Sequence, residues 1–275
     1  PYRFYAAEIS YFSAKVRPAL RYKGVHYLEL APDYRNVILP RTGLAFIPIV
    51  VTPEDETWQD TSEILDALER RIPAPPLYPT TPVQRLAAYL IELYADEFMI
   101  LPAMHYRWSF PESVAKARAD FAAVSAEPAA AGRFAERMRG SLPFLGVTPT
   151  TVPVIQAHLA DLLARLSAHF AIHPYLLGDR MSLADCALMG PLYAHLYLDA
   201  VPGRLLRETA PEVGRWIERM NHPDPEAPGS WLPDDALAQT LQPVLALIGQ
   251  DAVPLILDGV RAFEATAPDW RDDLA

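Results

Sequence analysis

Residues 73–82 read Pro-Ala-Pro-Pro-Leu-Tyr-Pro-Thr-Thr-Pro. Each proline fixes φ and removes a backbone donor, so no helix or central strand can run through such a segment. It therefore divides the chain, and the patterns on its two sides differ. Before it, short strand-like and helix-like runs alternate. After it, no comparable strand signal recurs. A length of 275 residues leaves room for two modest domains. The expected division is a first domain over 1–72, a stiff unpacked linker over 73–81, and an all-helical domain with a C-terminal extension over 82–275.

Within the first part, the aromatic-rich run Tyr2 to Ala6 reads as a strand and Phe12 to Tyr22 as a helix through Val16, Ala19 and Leu20. Pro18 is expected to kink that helix or delay its start. His26 to Leu30 reads as a second strand after the Lys23-Gly24 break. Asp33 to Gly43 has no clean period and is read as a loop or short helix. Phe46 to Val51 reads as a strand, with Thr57-Trp58 pairing back on it. A helix follows from Asp60, where Asp60 and Glu63 have capping-box spacing ahead of the stripe Ile64, Leu65 and Leu68. Beyond the linker, Thr81 is placed to cap a helix with Pro82 in its first position, carried on by Val83, Leu86, Ala87, Leu90, Tyr94 and Phe98. Ala-rich helical stretches follow from residue 109, then a long amphipathic helix through Ile155, Leu159, Leu162 and Leu166. After the Pro-rich stretch His222 to Asp235, helical patterning resumes to about Ala265.

A formal charge of -10 repels phosphate backbones and anionic lipid, which argues against nucleic acid and membrane surfaces as partners. No uninterrupted apolar run reaches the roughly 18 residues a membrane helix needs, and the N-terminus lacks a basic region followed by an apolar stretch. Cys186 is the only cysteine, so a disulfide framework and a cysteine-based metal cluster are excluded and a cytoplasmic location is expected. Seven histidines include no His-Glu-x-x-His motif, and no metal is expected. The lack of a Gly-rich dinucleotide loop and of Gly-x-Ser-x-Gly removes Rossmann oxidoreductases and α/β hydrolases.

Four motifs carry chemistry or its scaffold. Ser10-Tyr11-Phe12-Ser13-Ala14-Lys15-Val16-Arg17 puts two hydroxyls at the mouth of the first helix, where serine also serves as an ordinary cap. Ile47-Pro48-Ile49-Val50 opens a strand with proline, a position that an edge strand also tolerates. Asp60-Thr61-Ser62-Glu63-Ile64 presents free helix amides to an anion, or closes a capping box with no ligand. In Gly178-Asp179-Arg180-Met181-Ser182-Leu183-Ala184-Asp185-Cys186, Ser182 and Asp185 have capping-box spacing, and Met181 and Cys186 hold the flanking staple positions. Together these resemble the cytosolic glutathione S-transferase family, from Tyr2 to about Met220.

The resemblance implies a thioredoxin-like α/β domain (βαβ-ββα) followed by an all-α domain. It also implies a homodimer, reduced glutathione as the bound thiol, and a small hydrophobic electrophile as second substrate. By the same resemblance, Ser10 stands beside the glutathione sulfur, with Ser13 and then Tyr5 as the next choices. A hydroxyl there stabilises the thiolate, aided by the helix N-terminus. Pro48 is expected to be cis, turning the Ile47 backbone to the cysteinyl part of the ligand. Asp60 is expected to pair with the γ-glutamyl amine and Thr61 to hold its carboxylate. Met104, His105 and Trp108 would line the second substrate's pocket, although an amphipathic helix end packed on its neighbour also accounts for them. Conjugation is the default reaction. The alternatives are glutathione-dependent isomerisation, dehalogenation or ether cleavage, a non-catalytic glutathione-binding or scaffold protein, and an interaction domain that no longer binds glutathione.

Overall fold

The computed structural model describes residues 1–124 and 128–266; the end of the expected helical extension, 267–275, lies outside the described residues. Four strands, β1 (Tyr2–Tyr5), β2 (Tyr27–Leu30), β3 (Ile49–Val51) and β4 (Thr57–Gln59), form one sheet in the order β2-β1-β3-β4. β1 runs parallel to β2 and antiparallel to β3, and β3 and β4 form the expected hairpin with Val50 opposite Trp58. Strand alternation sorts the apolar residues onto two faces. Phe4 and Val50 pack with Val16, Leu20, Ile64 and Leu68 from helices α1 (Tyr11–Tyr22) and α3 (Thr61–Arg71). Tyr5, Ile49 and Val51 pack with Ile38, beneath the segment of no clean period. That segment is helical, a wide turn over Tyr34–Ile38 running into the short α2 (Leu39–Thr42), and Gly43 ends it at φ 72°. Pro18 neither delays nor breaks α1.

The rest is helical: α4 (Pro82–Leu93), α5 (Ile100–Trp108), α6 (Pro111–Val124), α7 (Pro128–Gly140), α8 (Val152–Phe170), α9 (Leu183–Met189), α10 (Ala200–Thr209), α11 (Pro211–Asn221), α12 (Gln242–Leu247) and α13 (Val253–Thr266). The single helix read from Val83 to Phe98 is interrupted by a wide π-type turn at Tyr94–Phe98 before α5 begins. One hydrophobic core passes from the sheet through α1 and α3 into α4, α8, α9 and α11, so the two domains share it. The capping box of α9 is present, with Cys186 Sγ against Met181 Sδ at 3.9 Å.

Three expectations need correction. The proline-dense segment is pinned: Leu77 is wholly buried, its carbonyl accepts from Leu183 N at 2.9 Å, and Lys23 Nζ donates to the carbonyls of Ile72 and Pro75. A segment without internal hydrogen bonds must find partners elsewhere once it is buried. Thr81 makes no side-chain cap; the Asp235 carboxylate, from the extension, accepts from Val83 N at 2.8 Å and Gln84 N at 2.9 Å. Finally, Gln242–Thr266 is one 25-residue helical run, long and apolar enough by length and composition to cross a membrane, with 22% of its most apolar window buried. Its first half is docked: Val244, Leu247, Ile248 and Ala252 are buried, and Asp251 Oδ2 pairs with His158 Nδ1 at 2.7 Å.

Asp235→Ala should lower unfolding free energy by about 1–2 kcal/mol in a denaturant titration, the cost of a lost helix N-cap. Asp235→Asn should recover most of it, since Asn also accepts from an amide and tolerates the left-handed backbone (φ 56°) at this position.

Candidate functional site

A cleft of about 610 Å³ opens between α1, the loop ahead of β3, the start of α3 and the Tyr94–Phe98 turn. Its apolar wall is Phe12, Leu44, Phe46, Ile47 and Pro48. Gln59, Asp60, Thr61, Ser62, Asp96 and Glu97 supply the polar side. Gln59 Nε2 donates to the carbonyls of Phe46 at 3.0 Å and Leu44 at 3.4 Å, which ties the apolar loop to the end of β4. The Ile47–Pro48 peptide is cis.

Thus Ile47, Pro48, Asp60 and Thr61, from two separate sequence motifs, meet in one cavity. Asp60 sits at φ 71° and ψ 133°, outside the small left-handed helical region that side chains normally reach. Its Oδ1 accepts from Ser62 N at 2.9 Å and Glu63 N at 3.5 Å, so part of this carboxylate is already engaged in capping α3.

The three candidate hydroxyls separate. Ser10 is half-buried at the mouth of α1, two residues before Phe12, and its Oγ accepts from Ser13 N at 3.3 Å, which leaves its own proton to donate. Ser13 is wholly buried, with Oγ accepting from Ala7 N at 3.4 Å. Tyr5 packs with Ile38 and Ile49 on the sheet face opposite that carrying Phe4 and α1. Met104, His105 and Trp108 are not brought to the cleft. Met104 and Trp108 belong to a small core with Ala117 and Ala135 of α6 and α7. His105 is buried, bonded through Nδ1 to Ser109 Oγ at 2.9 Å and through Nε2 to Gln156 at 3.1 Å. The reading of an amphipathic helix packed on its neighbour is the one the geometry matches.

Three charged residues that were not singled out shape the site. Lys15 is wholly buried behind the cleft, and its Nζ donates to Asp96 Oδ2 at 2.6 Å, Glu92 Oε1 at 2.8 Å and Ser62 Oγ at 3.4 Å. Burial pushes the Asp96 carboxyl up to about 6, against the opposing pull of Lys15. Asp96 Oδ1 is buried without a hydrogen-bond partner. Deeper still, Arg107 on α5 donates to Asp199 Oδ2 at 2.7 Å, to the Ala194 carbonyl at 2.5 Å and to the Ile9 carbonyl at 2.9 Å, one residue before Ser10. Burial, with the Arg107 charge, holds His195 well below the ordinary imidazole range, so its Nε2 accepts from Arg107 at 3.0 Å. The Tyr11 hydroxyl donates to the Ala95 carbonyl. Its ring lies so close to Gly190 that a Cβ there would meet it at 3.0 Å. The mouth of α1 is therefore held from the helical domain on two sides. Lys15 stands in a quoted motif, but the partners of all three residues lie 47 to 98 positions away, and no local pattern marks them.

A family model described as the glutathione S-transferase N-terminal domain matches residues 4–76, and one described as the glutathione S-transferase C-terminal domain matches residues 152–224. No curated protein matches the sequence. Among solved structures, a glutathione S-transferase from Rhodospirillum rubrum F11 aligns with a TM-score of 0.55 at 17% identity, over 89% of this chain and 100% of its own. The beta-etherase LigF from Sphingobium sp. strain SYK-6 aligns at 0.56 and 14%, over 89% and 98%. A glutathione S-transferase from Methylobacterium radiotolerans JCM 2831, in complex with glutathione sulfonate, aligns at 0.50 and 23%, over 86% and 99%. At these identities the likeness is one of fold.

Arg107→Ala leaves Asp199 buried and uncompensated and should cost about 3–5 kcal/mol of stability in denaturant unfolding. Replacing both partners, Arg107→Met with Asp199→Leu, should cost less than the sum of the two single changes.

Proposed function

The chain belongs to the glutathione S-transferase family, and on that premise we propose that it binds reduced glutathione in this cleft and ionises the thiol for attack on a hydrophobic electrophile. The observation that carries the reading is the convergence of the α1 mouth, the cis Ile47–Pro48 peptide and the N-terminus of α3 on one cavity. In this reading the Ile47 backbone pairs with the cysteinyl part of glutathione as an added strand would. The γ-glutamyl carboxylate lies on Thr61 and the α3 N-terminus, where helix amides and the dipole favour an anion. The γ-glutamyl ammonium lies against Asp60 and Asp96, whose free oxygen gains the partner it lacks. Ser10 donates to the sulfur and stabilises the thiolate. The electrophile rests on Phe12, Leu44 and Phe46. Addition of the thiolate to an electrophilic carbon then gives the conjugate, and any leaving group departs with the electron pair of its bond.

A homodimer belongs to the same proposal. Val83, Leu86, Tyr89 and Leu93 form an exposed apolar stripe along α4, at a spacing that puts them on one face. Large exposed apolar faces of this kind mark interaction surfaces. A second reading, glutathione binding without turnover, is favoured by one observation: Asp60, Asp96 and Glu97 line the cleft, and no lysine or arginine does among the described residues. Tight binding to glutathione with no activity across a broad panel of electrophiles would select it.

Calorimetric titration should detect glutathione binding to the wild type. Thr61→Ala should weaken it about tenfold or more, the loss of one hydrogen bond to a charged group. Ser10→Ala should retain binding but lose thiolate absorbance, which Tyr5→Phe should keep. If wild type does not bind, the proposal fails. The affinity should also fall as pH is lowered through about 6: ionised Asp96 attracts the ligand ammonium, and its protonation removes that attraction. Asp96→Asn should bind more weakly at neutral pH and flatten the profile.

A further inference from the structure

A second pocket, of about 230 Å³, lies between the end of α5 and the hairpin of α6 and α7. It shares no lining residue with the cleft. Helices α6 and α7 also fall outside both family-model matches, so neither match nor the cleft accounts for them.

The lining is apolar apart from Ser109 and two cations. Trp108, Pro111, Val114 and Ala115 form walls, and Arg118 and Arg139 are the only ionisable groups. That is unusual in a chain of net charge -10, where most surfaces present carboxylates. Arg118 pairs with Glu136. Arg139 makes no ion pair among the described residues, so its planar donor fork is open to a ligand. The Trp108 ring is stacked at 8° on Phe121, which fixes it as a rigid wall. Trp108 is only 2% exposed, and its indole N–H is buried with no acceptor.

We propose that this pocket binds a small aromatic carboxylate, with the ring against Trp108 and Val114 and the carboxylate on Arg139. An apolar slot alone would take any hydrocarbon ring. A free guanidinium adds two parallel charge-assisted bonds that the two coplanar oxygens of a carboxylate accept and a neutral ring does not. A cation is disfavoured by both arginines, and a bulky ligand by the volume. The site does not depend on glutathione occupying the cleft.

The test is a titration of the intact, ¹⁵N-labelled chain with 2-naphthoate, and with its neutral amide as the control, read at the tryptophan indole resonances. Trp108→Phe identifies the resonance by its loss. The expected result is a saturable shift of that resonance by 2-naphthoate, unchanged when glutathione is present in excess. The amide should bind at least about tenfold more weakly, and Arg139→Met should weaken 2-naphthoate by a similar factor while leaving the amide unaffected. Arg139 is exposed, so this variant should fold even if Trp108→Phe does not. No shift at Trp108, equal affinity for acid and amide, or displacement by glutathione would each overturn the proposal. Glutathione binding is scored separately by its own titration, so the two readings fail independently.

Discussion

Helix α1 is buried on both sides, and it carries two cations into that burial. Lys15 and Arg17 have side chains 0% and 1% exposed. A buried ammonium or guanidinium persists only where carboxylates and further acceptors surround it. Arg17 finds Glu29 on β2, and Glu8 just before α1, within the small domain. Lys15 reaches across the domain boundary to Glu92 on α4 and Asp96 in the turn beyond it. Correct docking of the two domains is therefore a condition for burying Lys15 at all. The same docking delivers Asp96 to the cleft wall.

This coupling explains how a cleft built from distant segments can be held ready before a ligand arrives. Asp96 is fixed through Oδ2 by Lys15, while Oδ1 stays unpartnered. Ser62, at the start of α3, donates to Glu92 Oε1 at 3.0 Å, so the helix that presents Thr61 is anchored to the same carboxylate that neutralises Lys15. On the opposite side, Arg107 fixes the Ile9 carbonyl and the Tyr11 hydroxyl fixes Ala95. The residues that would meet a thiol peptide are thus held by groups that never touch it, which limits the reorganisation left to binding.

What was legible in the sequence is what local rules determine. The α9 capping box, the β3–β4 hairpin and the apolar faces of α1 and α3 depend on residues within a few positions of one another, where spacing carries the physics. The segment at 34–42 reads only as a loop or short helix because it covers one sheet face with only Ile38 wholly buried, too little to set a period. Pro18 neither delays nor breaks α1, because the cost of a proline in a helix is a prior that tertiary burial overrides, and here both flanks of α1 are packed. Thr81 misled for the opposite reason: a plausible local cap lost to a carboxylate 154 positions away, one charged and held on a docked chain. The cleft's backbone and hydroxyl residues were visible as motifs. Its electrostatics were not, since Lys15, Asp96 and Arg107 acquire their roles only through partners that the fold supplies.

The segments outside the two family matches attach by similar means. The extension after α11 runs back across the helical domain, with Asp179 N donating to Ser230 O and Leu232 N to Leu177 O, both at 2.9 Å. A Cβ at Gly178 would lie 3.0 Å from Leu232 N, and one at Gly229 only 2.1 Å from Asp179 O. Both glycines also have positive φ, so two backbones approach here at a distance no side chain permits. Gly178 opens the motif that also contains the α9 capping box. Its lack of a side chain is explained by the extension beside it rather than by the box. The contact fixes the path of the chain, so that Asp235 reaches the amides of α4 and Asp251 reaches His158. The Tyr94 hydroxyl bonds that histidine at 2.6 Å on its other nitrogen. Tyr94 opens the turn that carries Asp96 and Glu97, so the extension is linked through two hydrogen bonds to the acidic wall of the cleft.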